Sequence, residues 1–165
     1  MTQPGKPEQP DPEIAVLAAL LEEYRRQYDI GDGGTLDRSK VEHLYKMDDA
    51  FTAYDVAPPL EGYIGWDRYA VGWYKVLEKY SSIHFTFRDT PRIFRKGDVA
   101  WMSVSADWYG KSKAGDDFAK TFRLTLIWVR DSDDNGAGNG NGRWRITHEH
   151  GSSPRSYQLA GGEVV

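Results

Sequence analysis

Residues 142–154 read GRWRITHEHGSSP, and His148, Glu149 and His150 set two imidazoles and a carboxylate in a row. In an extended strand successive side chains leave opposite faces, so His148 and His150 share one side and Glu149 takes the other. Two imidazole nitrogens at this spacing can serve a zinc ion. The remaining ligands would have to come from His43, His84 or a distant acid, and no spacing in the chain marks one. No metal is therefore expected. The two histidines are read as packing and hydrogen-bonding groups on an outward face or beside a subunit contact, with a sensitivity to mild acid. Glu149 is the member expected to reach an interior pocket. His84, in SSIHFTF, has the chemistry of a general acid–base, but its setting reads first as a strand edge.

The bulk properties bound what such groups could serve. The chain has 165 residues, 39% hydrophobic and 28% charged, which suits one globular domain with a substantial core. Six Trp and ten Tyr supply large apolar area with polar handles, suited to cores, pockets and subunit contacts. A formal charge of −4 gives no basic face of the kind that displaces counterions from nucleic acid. The sequence has no cysteine, so thiolate catalysis, disulfides and thiol-bound zinc are excluded. No apolar run approaches the length of about 18 residues that a membrane span needs. The opening MTQPGKPEQPDP lacks the apolar centre of a secretory signal, and the expectation is a cytoplasmic protein.

The elements that must position these groups follow from pattern. Residues 1–12 hold four of the eight prolines and read as a disordered tail. Asp11-Pro12-Glu13 combines a cap, a first-turn proline and an early acid. A helix follows, with Ile14, Leu17, Leu21, Tyr24 and Tyr28 along one face, and GDGG stops it. Shorter helices are expected over LDRSKVEHLYKM and WDRYAVGWYKVLEKY, the second with Tyr69, Trp73, Val76, Leu77 and Tyr80 on its apolar side. AFTAY reads as a strand and DVAPPLEGYIG as a loop. After residue 81 the period becomes two, with strands in SSIHFTFRDTPRIFRKGD broken near Pro91, then VAWMSVSADWYG, FAKTFRLTLIWVR and RWRITHEH. DSDDNGAGNGNG is a hairpin tip without the ligand order of a calcium loop. Helices followed by antiparallel strands give an α+β fold. Residues 13–154 form the domain, and 155–165 a C-terminal tail.

TFRLTLIWVRD followed by GRWRITHEHGSSP resembles the closing hairpin of the SnoaL-like, ketosteroid-isomerase-like branch of the nuclear transport factor two superfamily. The shared positions are Arg123, Thr125 and Trp128, then Gly142, Trp144, Ile146, His148, His150 and Ser152. YRRQYDIGD, LYKMDDAF, Trp66-Asp67-Arg68-Tyr69 and KGDVAW fall in the superfamily's order. The resemblance implies a cone-shaped, curved antiparallel sheet packed on three N-terminal helices, a cystatin-like roll with a cavity at one end. It also implies a homodimer formed through the outer face of the sheet. On that basis Leu124, Leu126, Trp128, Trp144 and Ile146 are expected outside, against a partner, and the polar positions of the same strands are expected to look into the cavity.

The resemblance implies chemistry as well. Tyr24, seven residues before Gly31-Asp32, matches the isomerase tyrosine that polarises the substrate oxygen. Asp55 lies near the place of the isomerase base, offset by one residue. The alternative reading packs Tyr24 with its hydroxyl satisfied and lets Asp55 cap the loop before Pro58. The second oxyanion acid falls at about Thr125, which can donate a hydrogen bond but lacks a carboxyl's acidity; this counts against true steroid isomerisation. Arg123 is expected in the cavity or across its mouth, paired with Glu149 or Asp107. Trp73 and Trp101 would wall a site for a flat ligand, with Arg123, Thr125 and Glu149 orienting it. The resulting expectation is a cofactor-independent isomerase, cyclase or dehydratase acting on a small, partly apolar organic molecule. The alternative is a non-catalytic module for ligand carriage or self-association.

Overall fold

A computed structural model of the chain describes residues 11–55, 59–131 and 142–153. The two expected tails and the hairpin tip, apart from Asp11, Pro12, Asp131 and Gly142, lie outside the described residues.

The first helix, α1 (Pro12–Tyr28), begins where Asp11 accepts a hydrogen bond from the Glu13 backbone N–H and Pro12 occupies the first turn. Leu17, Leu21, Tyr24 and Tyr28 are its buried stripe. A two-residue strand, β1 (Gly31–Asp32), follows, then the short α2 (Arg38–Glu42), capped by Asp37. β2 (Thr52–Tyr54) and β3 (Tyr63–Ile64) pair antiparallel, so part of the expected loop is a strand. α3 (Trp66–Leu77) buries Trp66, Tyr69, Ala70, Trp73, Tyr74 and Leu77. Gly72 in its middle has no Cβ because the Tyr63 ring lies where one would project.

The long strands are β4 (Tyr80–Phe87), β5 (Arg92–Lys96), β6 (Val99–Ser112), β7 (Asp117–Asp131) and β8 (Arg143–Ser152). They join the short strands in one open sheet of order β1-β4-β6-β7-β8-β2-β3, with β5 pairing the first part of β6. The sheet is antiparallel except where β2 joins β8 in parallel. α1 packs against β4 and β5, and α3 against β2 and β3.

One apolar core joins the helices to a single face of the sheet. Leu124, Leu126, Trp128, Trp144 and Ile146 are at most 5% exposed within this single chain. The expected sidedness of these strands is therefore reversed: the apolar set meets the helices, and Trp101, Arg123 and Thr125 face outward. The ordinary rule decides it. Burial of each large apolar side chain stabilises by about 1.5–3 kcal/mol, and the helices supply that cover. At the rim, Trp144 donates its indole N–H to Glu13 at 2.7 Å, while the Arg130 guanidinium lies over its ring.

One irregularity changes what β8 presents. Ile127 pairs with His148, but its neighbour Trp128 pairs with Ile146. Thr147 is an extra residue, a β-bulge that re-aims the strand. Trp144 and Ile146 before the bulge and Glu149 after it all turn inward.

Candidate functional site

Glu149 is 4% exposed, one of the few charged or polar side chains inside the core. Its carboxylate collects three phenols from three separate parts of the chain. Tyr24 of α1 donates to Oε2 at 3.0 Å. Tyr45, just beyond α2, donates to the same oxygen at 2.9 Å. Tyr69 of α3 donates to Oε1 at 3.3 Å. The Tyr28 hydroxyl completes the cluster, 2.9 Å from the Tyr45 hydroxyl and 3.4 Å from that of Tyr69. Each phenol carries one proton. With three committed to the carboxylate, the Tyr28 proton goes to an oxygen of Tyr45 or Tyr69.

Local sequence explains each placement. Tyr24 and Tyr28 are one helical turn apart, with ring centroids 4.8 Å apart. Tyr45 is fixed by a bridge to Ile146 on β8. Tyr69 packs on Phe51 and stacks on Trp73. Asp55 follows β2, whose Ala53 pairs with Glu149. Alternation puts Ala53 and Asp55 on one side, so the parallel register brings Asp55 to the face that carries Glu149 and Gly151.

These groups line an open pocket with an enclosed space of about 40 Å3, formed by Tyr24, Tyr28, Asp55, Trp73, Leu77, Phe85, Trp108, Phe122, Leu124, Glu149 and Gly151. Among the described residues its ionisable groups are two carboxyls and two phenols, with no lysine, arginine or histidine. Burial pushes the Glu149 carboxyl up, and the charge of Asp55 pushes it further. The phenol hydrogen bonds pull it back, leaving it near 7, raised to about 7 from 4.5. Burial and the Glu149 charge hold Tyr24 well above the usual phenol range, so Tyr24 acts as a donor and not as a phenolate. A carboxyl poised at neutrality beside a second carboxyl can give and take protons within the working range.

Tyr24, Asp55, Trp73 and Glu149 thus share one cavity. Trp101, Arg123 and Thr125 do not reach it. Trp101 is 41% exposed and stacks on Phe94 at 5.6 Å across the outer face. Arg123 is exposed between Ser105 and Ser152, and Thr125 lies between Ser103 and His150. The expected Arg123 ion pairs are replaced: Asp107 is taken by Arg88 at 3.0 Å and by the Thr121 hydroxyl at 2.6 Å, and Glu149 by the phenols.

Tyr28, Tyr45 and Tyr69 were not anticipated as site residues. Only Tyr28, one turn from Tyr24, carried a local signal.

His148 lies on the other side of β8, its Nδ1 2.7 Å from the Thr52 hydroxyl. Its ring packs with His150 and Tyr54. Burial, then the neighbouring His150, holds it below the usual imidazole range. His84 sits between Asp29 and Asp32 and stacks on Tyr109. Among the described residues no group of three His, Cys, Asp or Glu could hold a metal ion, and no helix is long and apolar enough to cross a membrane.

The family described as SnoaL-like domain matches residues 35–156. No curated protein matches the chain. Solved structures do. A nuclear transport factor 2-like superfamily protein from Salmonella enterica serovar Typhimurium is 17% identical, with a TM-score of 0.71, over 90% of this chain and 96% of that one. A candidate dehydratase of the same superfamily from Streptomyces avermitilis is 14% identical, TM-score 0.68, over 90% and 100%. A candidate ketosteroid isomerase from Shewanella frigidimarina is 18% identical, TM-score 0.61, over 81% and 92%.

Proposed function

The chain belongs to the SnoaL-like domain family, and from that membership and the cavity we propose that it binds a small, partly apolar organic molecule and moves a proton on it without a cofactor. The reaction class is isomerisation, cyclisation or dehydration. The observation that carries this reading is Glu149, held by three phenols beside Asp55 and raised to about 7.

Asp55 is the base, taking a proton from ligand carbon. Glu149 delivers its proton to the ligand's oxygen or leaving hydroxyl, and Tyr24 steadies the carboxylate left behind. Tyr24 polarises the ligand through Glu149, because its own proton is already donated. Water-poor aromatic walls strengthen each of these interactions. A cytoplasmic location, no nucleic-acid partner and a homodimer formed through the outer face of the sheet belong to the same reading. A thermal-shift screen of small ketones, polyketide-like aromatics and small carboxylates tests it. Stabilising compounds that turn over with the natural chain but not with Asp55→Asn support it. A library that stabilises nothing counts against it.

A second reading, ligand carriage or self-association without chemistry, draws on the outer face. Phe94 and Trp101 stack there while 50% and 41% exposed. Ligand binding without turnover would favour it.

A further inference from the structure

The pocket that holds Glu149 and Asp55 is small for an organic ligand. Its enclosed space of about 40 Å3 is room for about three water molecules, whereas ligand sites commonly run to about 300–1,000 Å3. A second hollow lies beside it at the end of α3. It encloses about 230 Å3, and its walls include Thr35, Leu36, Arg38, Glu78, Tyr80 and Lys113. Leu77, the last residue of α3 and 5% exposed, lines both spaces. Next to it Tyr80 of the second hollow packs on Trp108 of the first, with ring centroids 5.2 Å apart. The partition is therefore a single layer of side chains. Neither space is ligand-sized alone, and the two joined approach about 300 Å3.

The two ends differ in charge. The first holds two carboxyls and, among the described lining residues, no cation. The second sets Arg38 and Lys113 against Glu78. Arg38 is engaged with Glu42 at 2.8 and 3.0 Å and lies over the Tyr74 ring. Lys113 is exposed and makes no ion pair among the described residues.

We propose that Leu77 divides one elongated site into two compartments, and that the ligand is a long amphiphile, apolar where it meets Trp108 and Phe122 and anionic where it meets Lys113 and Arg38. This rests on the pocket of Glu149 being the ligand site. A leucine leaves the passage by moving from one staggered rotamer to another. The anion then lies beside cations and away from Asp55 and Glu149, where like charge would repel it. Each methylene buried along the way tightens binding by about fourfold.

Three probes test this: ethylbenzene, 8-phenyloctanoate and 8-phenyloctan-1-ol. Affinity is measured by calorimetry, and methyl NMR follows Leu124 in the first compartment and Leu36 in the second. In the natural chain ethylbenzene is expected to move the Leu124 signals alone. Phenyloctanoate is expected to move both sets and to bind at least about 100-fold more tightly. Leu77→Trp fills the passage, and should weaken phenyloctanoate by about tenfold or more and abolish its effect on Leu36. Lys113→Gln should weaken phenyloctanoate by about threefold and leave the alcohol unchanged. Should Leu77→Trp not fold, the Leu36 and Leu124 signals of the natural chain still decide. The inference is overturned if phenyloctanoate moves only one of the two sets, if it binds no more tightly than ethylbenzene, or if a folded Leu77→Trp binds it undiminished. Equal effects of Lys113→Gln on acid and alcohol overturn the anionic end. In each of these cases movement of Leu124 by any probe leaves the pocket as a ligand site. Failure of all three probes to bind overturns both.

Discussion

The Tyr45 hydroxyl and the Glu149 carboxylate lie 2.9 Å apart although 104 residues separate them in the chain. Both are almost wholly buried, at 1% and 4% exposure. A carboxylate in such a place would ordinarily be forced to neutrality. Here three phenols offset much of the lost hydration, and Asp55 acts the other way. The balance makes Glu149 responsive near pH 7, and stability and activity should both report it.

Glu149 has a folded value raised above that of the unfolded chain, so the folded state retains a proton that the unfolded chain releases between 4.5 and about 7. This stabilisation is fully present below pH 4.5 and is lost as the pH rises through 7. The full span is about 3 kcal/mol. Urea unfolding at pH 5 and pH 8 should show stability falling over this range, and Glu149→Gln should remove more than half of the fall. An unchanged pH dependence in that variant would assign the effect to another group.

Tyr45→Phe removes a donor from the ionised carboxylate and keeps the ring. It should cost about 1–3 kcal/mol at pH 8, and less at pH 5, where Glu149 is protonated. The midpoint of the pH dependence should move upward. An equal loss at both values would indicate lost packing rather than a lost hydrogen bond.

Asp55→Asn should move that midpoint the other way, because it removes a negative charge that raises Glu149. On any turned-over ligand the rate should fall by about 100-fold or more. Retention of the full rate would exclude Asp55 as the base.

Trp101→Arg tests the outer face. The residue is outside the core, so chemical stability should change by no more than about 0.5 kcal/mol. Sedimentation should show the proposed homodimer for the natural chain and a shift to monomer in the variant. A variant that sediments as the natural chain does would remove this face as the subunit contact.

Much of the architecture was legible because it rests on local periodicity. Leu17, Leu21, Tyr24 and Tyr28 mark α1 by helical spacing, and period two marks β6 and β7. The break at Pro91 separates β4 from β5 as expected. The sides of the sheet were not legible in the same way. Both faces carry aromatics, and only the helices' cover distinguishes Trp128 from Trp101. The site was partly visible: Tyr24, Asp55, Trp73 and Glu149 come together, but Glu149 faces inward alongside Trp144 and Ile146, not opposite them. Strict alternation misses this because Thr147 breaks the count. Tyr45 and Tyr69 join through contacts that no short stretch encodes.

That single supernumerary residue acts as a parity selector for the last stretch of β8. With it, the hollow is furnished with Glu149 and Gly151 while the imidazoles decorate the far side. Were the strand to run regularly through Thr147, with every residue kept and paired in turn, the same letters would offer His148 and His150 to the occupant instead. An acidic chamber would become a basic one without any side chain being replaced, so the register of one strand can rewrite reactivity here as thoroughly as substitutions do.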